Sequence, residues 1–206
     1  MQNTKISLKN ISKIIWKNIL VIVITTLLLG IAGAMYAKHK QHTDYISSRN
    51  IMTSSSYRGA AANEEVQANI NLGDTYAKIV ESKDVAQVAH RNLPKSIKKE
   101  YSVAQISSMV KAHPVMQTTI VKVTVKAENA KASSKIVNAV TAAAEQQIPK
   151  KVPSAGKISL FAKATADDAQ SITIPSIKKF TLIGAAVGFL LGMVIAFSVT
   201  TWTKLI

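Results

Sequence analysis

Cysteine is absent from this 206-residue chain. That excludes a disulfide scaffold, a thiolate-held metal or iron–sulfur centre, and a thiol nucleophile. Aromatic residues make up only 5%, too few for the base-stacking platforms of single-strand nucleic-acid modules. Acids are scarce too: 11 Asp+Glu oppose 26 Lys+Arg, for a formal charge of +15. A balance of that sign first suggests nucleic acid. Yet 48% of the residues are hydrophobic, more than a basic domain of that kind carries. The length allows one ordinary domain with attachments, so the apolar residues must be concentrated in part of it.

They are concentrated at the two ends. Asn18 to Ala37 is an uncharged run of 20 residues, and Phe180 to Thr203 one of 24. At about 1.5 Å per helical residue, each covers the roughly 30 Å of a bilayer core. Two transmembrane helices are expected, at 18–37 and 180–203. The basic start followed by Ala32-Gly33-Ala34 also resembles a cleavable signal peptide, but the uncharged run exceeds the usual apolar region of about 7–15 residues. An uncleaved anchor is the expectation.

Residues 1–17 carry Lys5, Lys9, Lys13 and Lys17 and no acid, which predicts a cytoplasmic N-terminal segment. Their i, i+4 spacing would align them along one side of an interfacial helix on an anionic leaflet, and a plain topology signal accounts for them equally well. With two spans, 204–206 forms a short cytoplasmic tail and 38–179 lies outside. Trp16 and Trp202 then fall at one interface and Tyr36 at the other. In the second span, Gly184, Gly188 and Gly192 recur every four residues, and Ala196 continues the row. On a helix they share one face and let another backbone approach closely. The partner could be the first span or another copy of the chain.

The 38–179 segment contains all 11 acids and 21 Lys+Arg, a net +10. Residues 43–57 read as a weak strand. Val66, Ile70, Gly73, Ala77 and Val80 are spaced as one amphipathic helix over 64–81. Ser82 is placed to cap a helix to Asn92, stopped by Pro94, and Ser102 with Gln105 forms a capping box for another ending before Pro114. Val121, Val123 and Val125 alternate with polar residues as a strand. Asn129 precedes a helix from Ala130 to Ile148, with Ile136, Val140 and Ala144 on one stripe and Pro149 as its stop. A short strand follows at 158–164. The order β-α-α-α-β-α-β predicts an α+β extracytoplasmic domain between two transmembrane helices at the chain ends.

Catalytic constellations are missing. There is no phosphate-binding loop, nucleophile elbow or zinc-protease motif. His39, His42 and Asp44 are better read as juxtamembrane polar residues than as metal ligands. Asp167-Asp168 and Glu64-Glu65 are neighbours in sequence, read as a turn and a helix start. His90 and His113 are isolated, and Asn10-Ile11-Ser12 is an accidental glycosylation match on the cytoplasmic side. The chain is expected to be no enzyme and to use no cofactor or metal. Lys95, Lys98 and Lys99, and separately Lys150, Lys151 and Lys157, form basic clusters, read as solvated surface or as attraction to an anionic polymer.

Several segments resemble polysaccharide chain-length determinant (Wzz-type) proteins. Leu72-Gly-Asp-Thr-Tyr-Ala-Lys-Ile-Val-Glu-Ser-Lys-Asp-Val85 is similar to that family's Leu-x-x-Thr-Tyr-Ala and Ser-x-x-Val segment. Thr119–Val125 and the helix with Ile136, Asn138 and Val140 are similar to its strand and following Ala-x-x-Ile-x-Asn-x-Val helix, with Ser133 in place of the alanine. Pro175, Ser176, Lys178 and Lys179 resemble the family's Pro-x-Ser-Pro-Lys-Lys run before the last span, with Ile177 where a proline is usual. The resemblance implies a co-polymerase in a bacterial plasma membrane, multi-pass with both termini cytoplasmic. Such a protein works as a homo-oligomer in contact with the lipid bilayer, a polysaccharide polymerase and the nascent polysaccharide, and not with nucleic acid. The small exterior domain resembles the Gram-positive branch, whose members also activate a cytoplasmic tyrosine kinase. Only Lys204-Leu205-Ile206 follow the second span, shorter than the tail of kinase-activating relatives. A kinase adaptor without length control, and an envelope module holding anionic wall polymer, are the alternatives.

Overall fold

The computed structural model describes residues 16–54 and 62–205. In chain order the elements are α1 (Ile19–Lys40), β1 (His42–Ser54), α2 (Ala62–Asn71), α3 (Gly73–Val80), α4 (Lys83–Asn92), α5 (Lys95–Glu100) and α6 (Val103–Met109). They continue with β2 (Val110–Pro114), β3 (Ile120–Ala127), α7 (Ala130–Lys151), a 3-10 turn (Pro153–Ala155), β4 (Lys157–Leu160), β5 (Gln170–Ile174) and α8 (Ile177–Leu205). Two compact units result: residues 1–42 with 173–206, and residues 43–172. The described part of the first is built mainly on α1 and α8. The second is α+β, as the sequence predicts.

In the α+β unit the sheet runs β2-β3-β1-β4, and β5 also pairs with β1. β1 is central: Tyr45–Met52 runs antiparallel to β3, and Ile51–Ser54 antiparallel to β4. The alternation in β3 does what a period of two dictates. Val121, Val123 and Val125 are buried, and Lys122 faces out. α7 covers that face, with Ile136, Val140 and Ala144 buried in one core with Ile51, Val85 and Ile106. At the N-terminus of α7 the Asn129 side chain accepts from the Ala132 N–H at 2.7 Å. Ser82 caps α4, accepting from Val85 N–H, and the Ser102–Gln105 box closes at α6.

Five boundaries differ from the sequence reading. The helix expected over 64–81 is two, α2 and α3, bent at Leu72. Gly73 is the reason: a methyl built there would lie 2.9 Å from Pro114 Cβ, so only glycine lets α3 meet β2 this closely. Pro94 ends α4 but opens α5, since proline suits a helix start. The stretch before Pro114 is a strand, β2, paired with β3. Pro149 does not stop α7, which continues to Lys151. So near the C-terminus it costs one hydrogen bond that few later residues depend on. The strand at 158–164 is shorter, and β5 follows it.

β2 lies at the sheet edge, where unpaired N–H groups invite pairing with other chains. Glu81 occupies one of them: its Oε1 accepts from the Ala112 N–H at 3.0 Å. Burial raises the Glu81 pKa, but this bond, Lys78 and Lys111 together bring it below the ordinary 4.5. A depressed carboxyl contributes stability above its unfolded pKa and loses it as pH falls through the folded value. Glu81→Gln is therefore expected to lower the melting temperature at pH 7, and the gap from the parent to close as melts are repeated below pH 4.5.

Candidate functional site: a glycine-faced helix pair and a clamped strand connection

Both apolar runs are helical and extend beyond the uncharged stretches, to Lys40 and from Ile177. They are long and apolar enough to cross a membrane. In hydrocarbon a helix satisfies its own backbone polar groups, which explains why runs rich in Ile and Val, poor helix formers in water, are helical here. Thr25 and Thr26 likewise turn their hydroxyls back onto carbonyls of their own helix.

α1 and α8 pack antiparallel along the glycine row. A methyl built at Gly188 would lie 2.6 Å from the Thr25 carbonyl oxygen and 2.8 Å from Thr26 Cα. At Gly184 it would collide with the Leu29 carbonyl, and at Gly192 with the Thr25 hydroxyl. Ala196 continues the row and is buried. The first helix contributes Gly33, where a methyl would lie 2.5 Å from the Phe180 carbonyl oxygen. Of the two partners left open by the sequence, the structure places the first span of the same chain against this face. Carbonyl oxygens and Cα atoms cannot swing aside as a flexible side chain can, so Gly33, Gly184 and Gly188 demand glycine, as does Gly192, where a methyl would also lie 2.9 Å from Ile22 Cα.

Two contacts that periodicity alone does not reveal mark the ends of the pair. Asn18 donates from Nδ2 to Thr200 Oγ1 at 2.8 Å. At the other end the Tyr36 and Phe180 rings stand 5.8 Å apart. Such spacing is a normal aromatic contact, and the hydrogen bond fixes the helices' register. Trp16 and Trp202 are exposed.

Of the remaining predicted site residues, Lys5, Lys9 and Lys13 lie outside the described residues, and Lys17 is exposed. Pro175 follows a cis peptide bond. The Ser176 carbonyl accepts from the Phe180 N–H at 3.1 Å, opening α8. Lys178 and Lys179 are exposed in its first turn. Cations there oppose the helix dipole, so they do not serve the helix itself.

In the α+β unit, one arrangement had no counterpart in the sequence reading. Arg49 of β1 is 7% exposed. Its Nε and Nη2 donate to the Phe161 carbonyl at 2.9 and 2.8 Å, and Nη1 donates to Thr141 Oγ1 at 3.1 Å. Burial lowers its pKa, partly opposed by Glu145. Nearby, Asn138 of α7 donates to the Ala164 carbonyl at 2.8 Å and accepts from the Ala164 N–H at 3.0 Å. Together they fasten the connection between β4 and β5. An Arg in a Ser/Thr-rich strand was the available signal, and its place on the buried face of β1, in line with Ser47, Ile51 and Thr53, gives it meaning.

Asp44 pairs with Lys126 at 2.8 Å, and His42 Nδ1 lies 3.4 Å from the Lys40 carbonyl oxygen. Among the described residues no group of three His, Asp or Glu could hold a metal. Asp168 closes a turn with Thr165.

Residues 4–93 match the family described as chain length determinant protein (Wzz). Capsular polysaccharide type 8 biosynthesis protein cap8A of Staphylococcus aureus is 28% identical over 199 residues, 95% of this chain and 84% of that protein. Its type 5 counterpart cap5A, from strain Newman, matches to the same extent. Capsular polysaccharide biosynthesis protein CpsC of Streptococcus agalactiae is 27% identical over 186 residues, 89% of this chain and 78% of that protein. Residues 4–93 are thus similar to the chain length determinant (Wzz) family, and most of the chain is similar to capsular polysaccharide biosynthesis proteins.

Proposed function

We propose that this chain is a membrane-anchored co-polymerase that regulates the length of a capsular or extracellular polysaccharide. The observation that carries the reading is the chain length determinant match over residues 4–93, on a chain whose two apolar helices pack against each other at its ends. The chain acts without catalysis of its own, as an oligomer beside a polysaccharide polymerase and its nascent product.

In this reading 18–37 and 180–203 span the plasma membrane, and 38–179 lies outside. The basic 1–17 and the 204–206 tail lie in the cytoplasm. The antiparallel helix pair supports termini on one side, and the lysine-rich start supports the cytoplasm as that side. Gly184, Gly188, Gly192 and Ala196 hold the two spans together. Lys5, Lys9, Lys13 and Lys17 meet the inner leaflet. Pro175, Ser176, Lys178 and Lys179 set the approach to the second span at the outer surface. Deleting the chain is expected to shift the size distribution of the surface polysaccharide on size exclusion. An unchanged distribution in a strain that still makes the polymer would refute the reading.

A further inference from the structure

α4 and α7 lie side by side and leave a groove of about 540 Å³ between them, within the size range of ligand sites. Its walls are polar throughout except for Val88. α4 supplies Gln87, Arg91 and Asn92, and α7 supplies Gln146, Gln147 and Lys150. Asp84 also lines it, but its carboxylate is taken by Lys151. Arg91 and Lys150 make no ion pair among the described residues, so the groove keeps two uncompensated cations.

Most ligand pockets are apolar with a few polar groups. This one reverses the proportion. Four carboxamides, each able to donate and accept, match hydroxyl groups, which also do both. The Arg91 guanidinium is a planar fork suited to a carboxylate, and Lys150 is a point charge. An apolar ligand gains nothing here, and no aromatic lines the groove for stacking a base. A ligand matching the whole set is rich in hydroxyls and carries negative charge.

We propose that the α4–α7 groove binds an acidic, carboxylate-bearing saccharide segment. The assignment rests on the proposed function, in which nascent polysaccharide passes the exterior unit.

Full-length protein in detergent is titrated calorimetrically with a tetragalacturonate and, separately, with neutral maltotetraose. Saturable binding of the acidic probe, with the neutral one at least ten times weaker, is expected. Arg91→Gln with Gln147→Ala is expected to weaken it tenfold or more. Lys95→Gln with Lys99→Gln, which removes two charges outside the groove where the first pair removes one, leaves it within twofold. No binding of the acidic probe, or equal loss in both double variants, overturns the proposal. Melting curves of all variants check that folding is intact. The titration is independent of polymer length in cells. A strain whose polymer is unaffected by deletion would refute the chain-length reading, while the titration alone decides the groove.

Discussion

Gly188→Leu is expected to separate the two spans. Even the first carbon of the new side chain would meet the Thr25 carbonyl oxygen at 2.6 Å, and the remaining atoms have nowhere to go between two backbones. Overpacking costs about 1–3 kcal/mol where neighbours can shift. Here the neighbours are main-chain atoms of a helix, so the upper end is expected. The absence of cysteine makes the measurement clean. A methyl carbon at Gly30 would lie 3.7 Å from Ala185 Cβ, within the roughly 3.5–4.5 Å that a disulfide requires. Gly30→Cys with Ala185→Cys is therefore expected to give a crosslink within one chain on oxidation in membranes. Adding Gly188→Leu is expected to abolish it, and Val187→Ala, on the exposed side of α8, to leave it intact. A crosslink that joins two chains instead would show that the glycine row serves assembly between copies.

Arg49→Met is expected to cause the largest loss of stability in the α+β unit. The substitution keeps much of the aliphatic length but removes three donors. Hydrogen bonds from charged groups contribute about 1.5–3 kcal/mol, and a stranded buried acceptor costs about 1–3 kcal/mol. A net loss of about 3 kcal/mol would lower the melting temperature of a domain this size by about 10 °C. Asn138→Ala removes the second clamp on the same connection and is expected to act in the same direction with a smaller effect. Because both side chains hold one segment, their effects are expected not to add. A melting temperature of Arg49→Met within 2 °C of the parent, roughly what under 1 kcal/mol would produce, would show that the clamp is dispensable.

The parts legible in the sequence were those with a short-range physical cause. Uncharged length marked the two spans, side-chain caps at Ser82, Ser102 and Asn129 marked three helix starts, and alternation marked β3. The misses share a different cause. β5 is defined by a partner far away in sequence, β1, and β2 is only five residues long and follows directly on a capped helix, so neither has a strong pattern of its own. α2 and α3 carry one continuous helical periodicity, and the bend between them comes from Pro114 packing on Gly73. Four-residue spacing identified the glycine face, but spacing says nothing of what lies opposite. Arg49 was silent for the same reason, since its acceptors stand 92 and 112 residues away.

The claim that this chain regulates polymer length is tested most directly by its dosage. With expression placed under an inducible promoter in a deletion strain, the modal length and total yield of the surface polysaccharide are measured together across induction levels. The account predicts that the mode moves from its deleted to its restored value as the chain accumulates in the membrane, while polymer is made throughout. A mode that stays fixed at every level of the chain would contradict it.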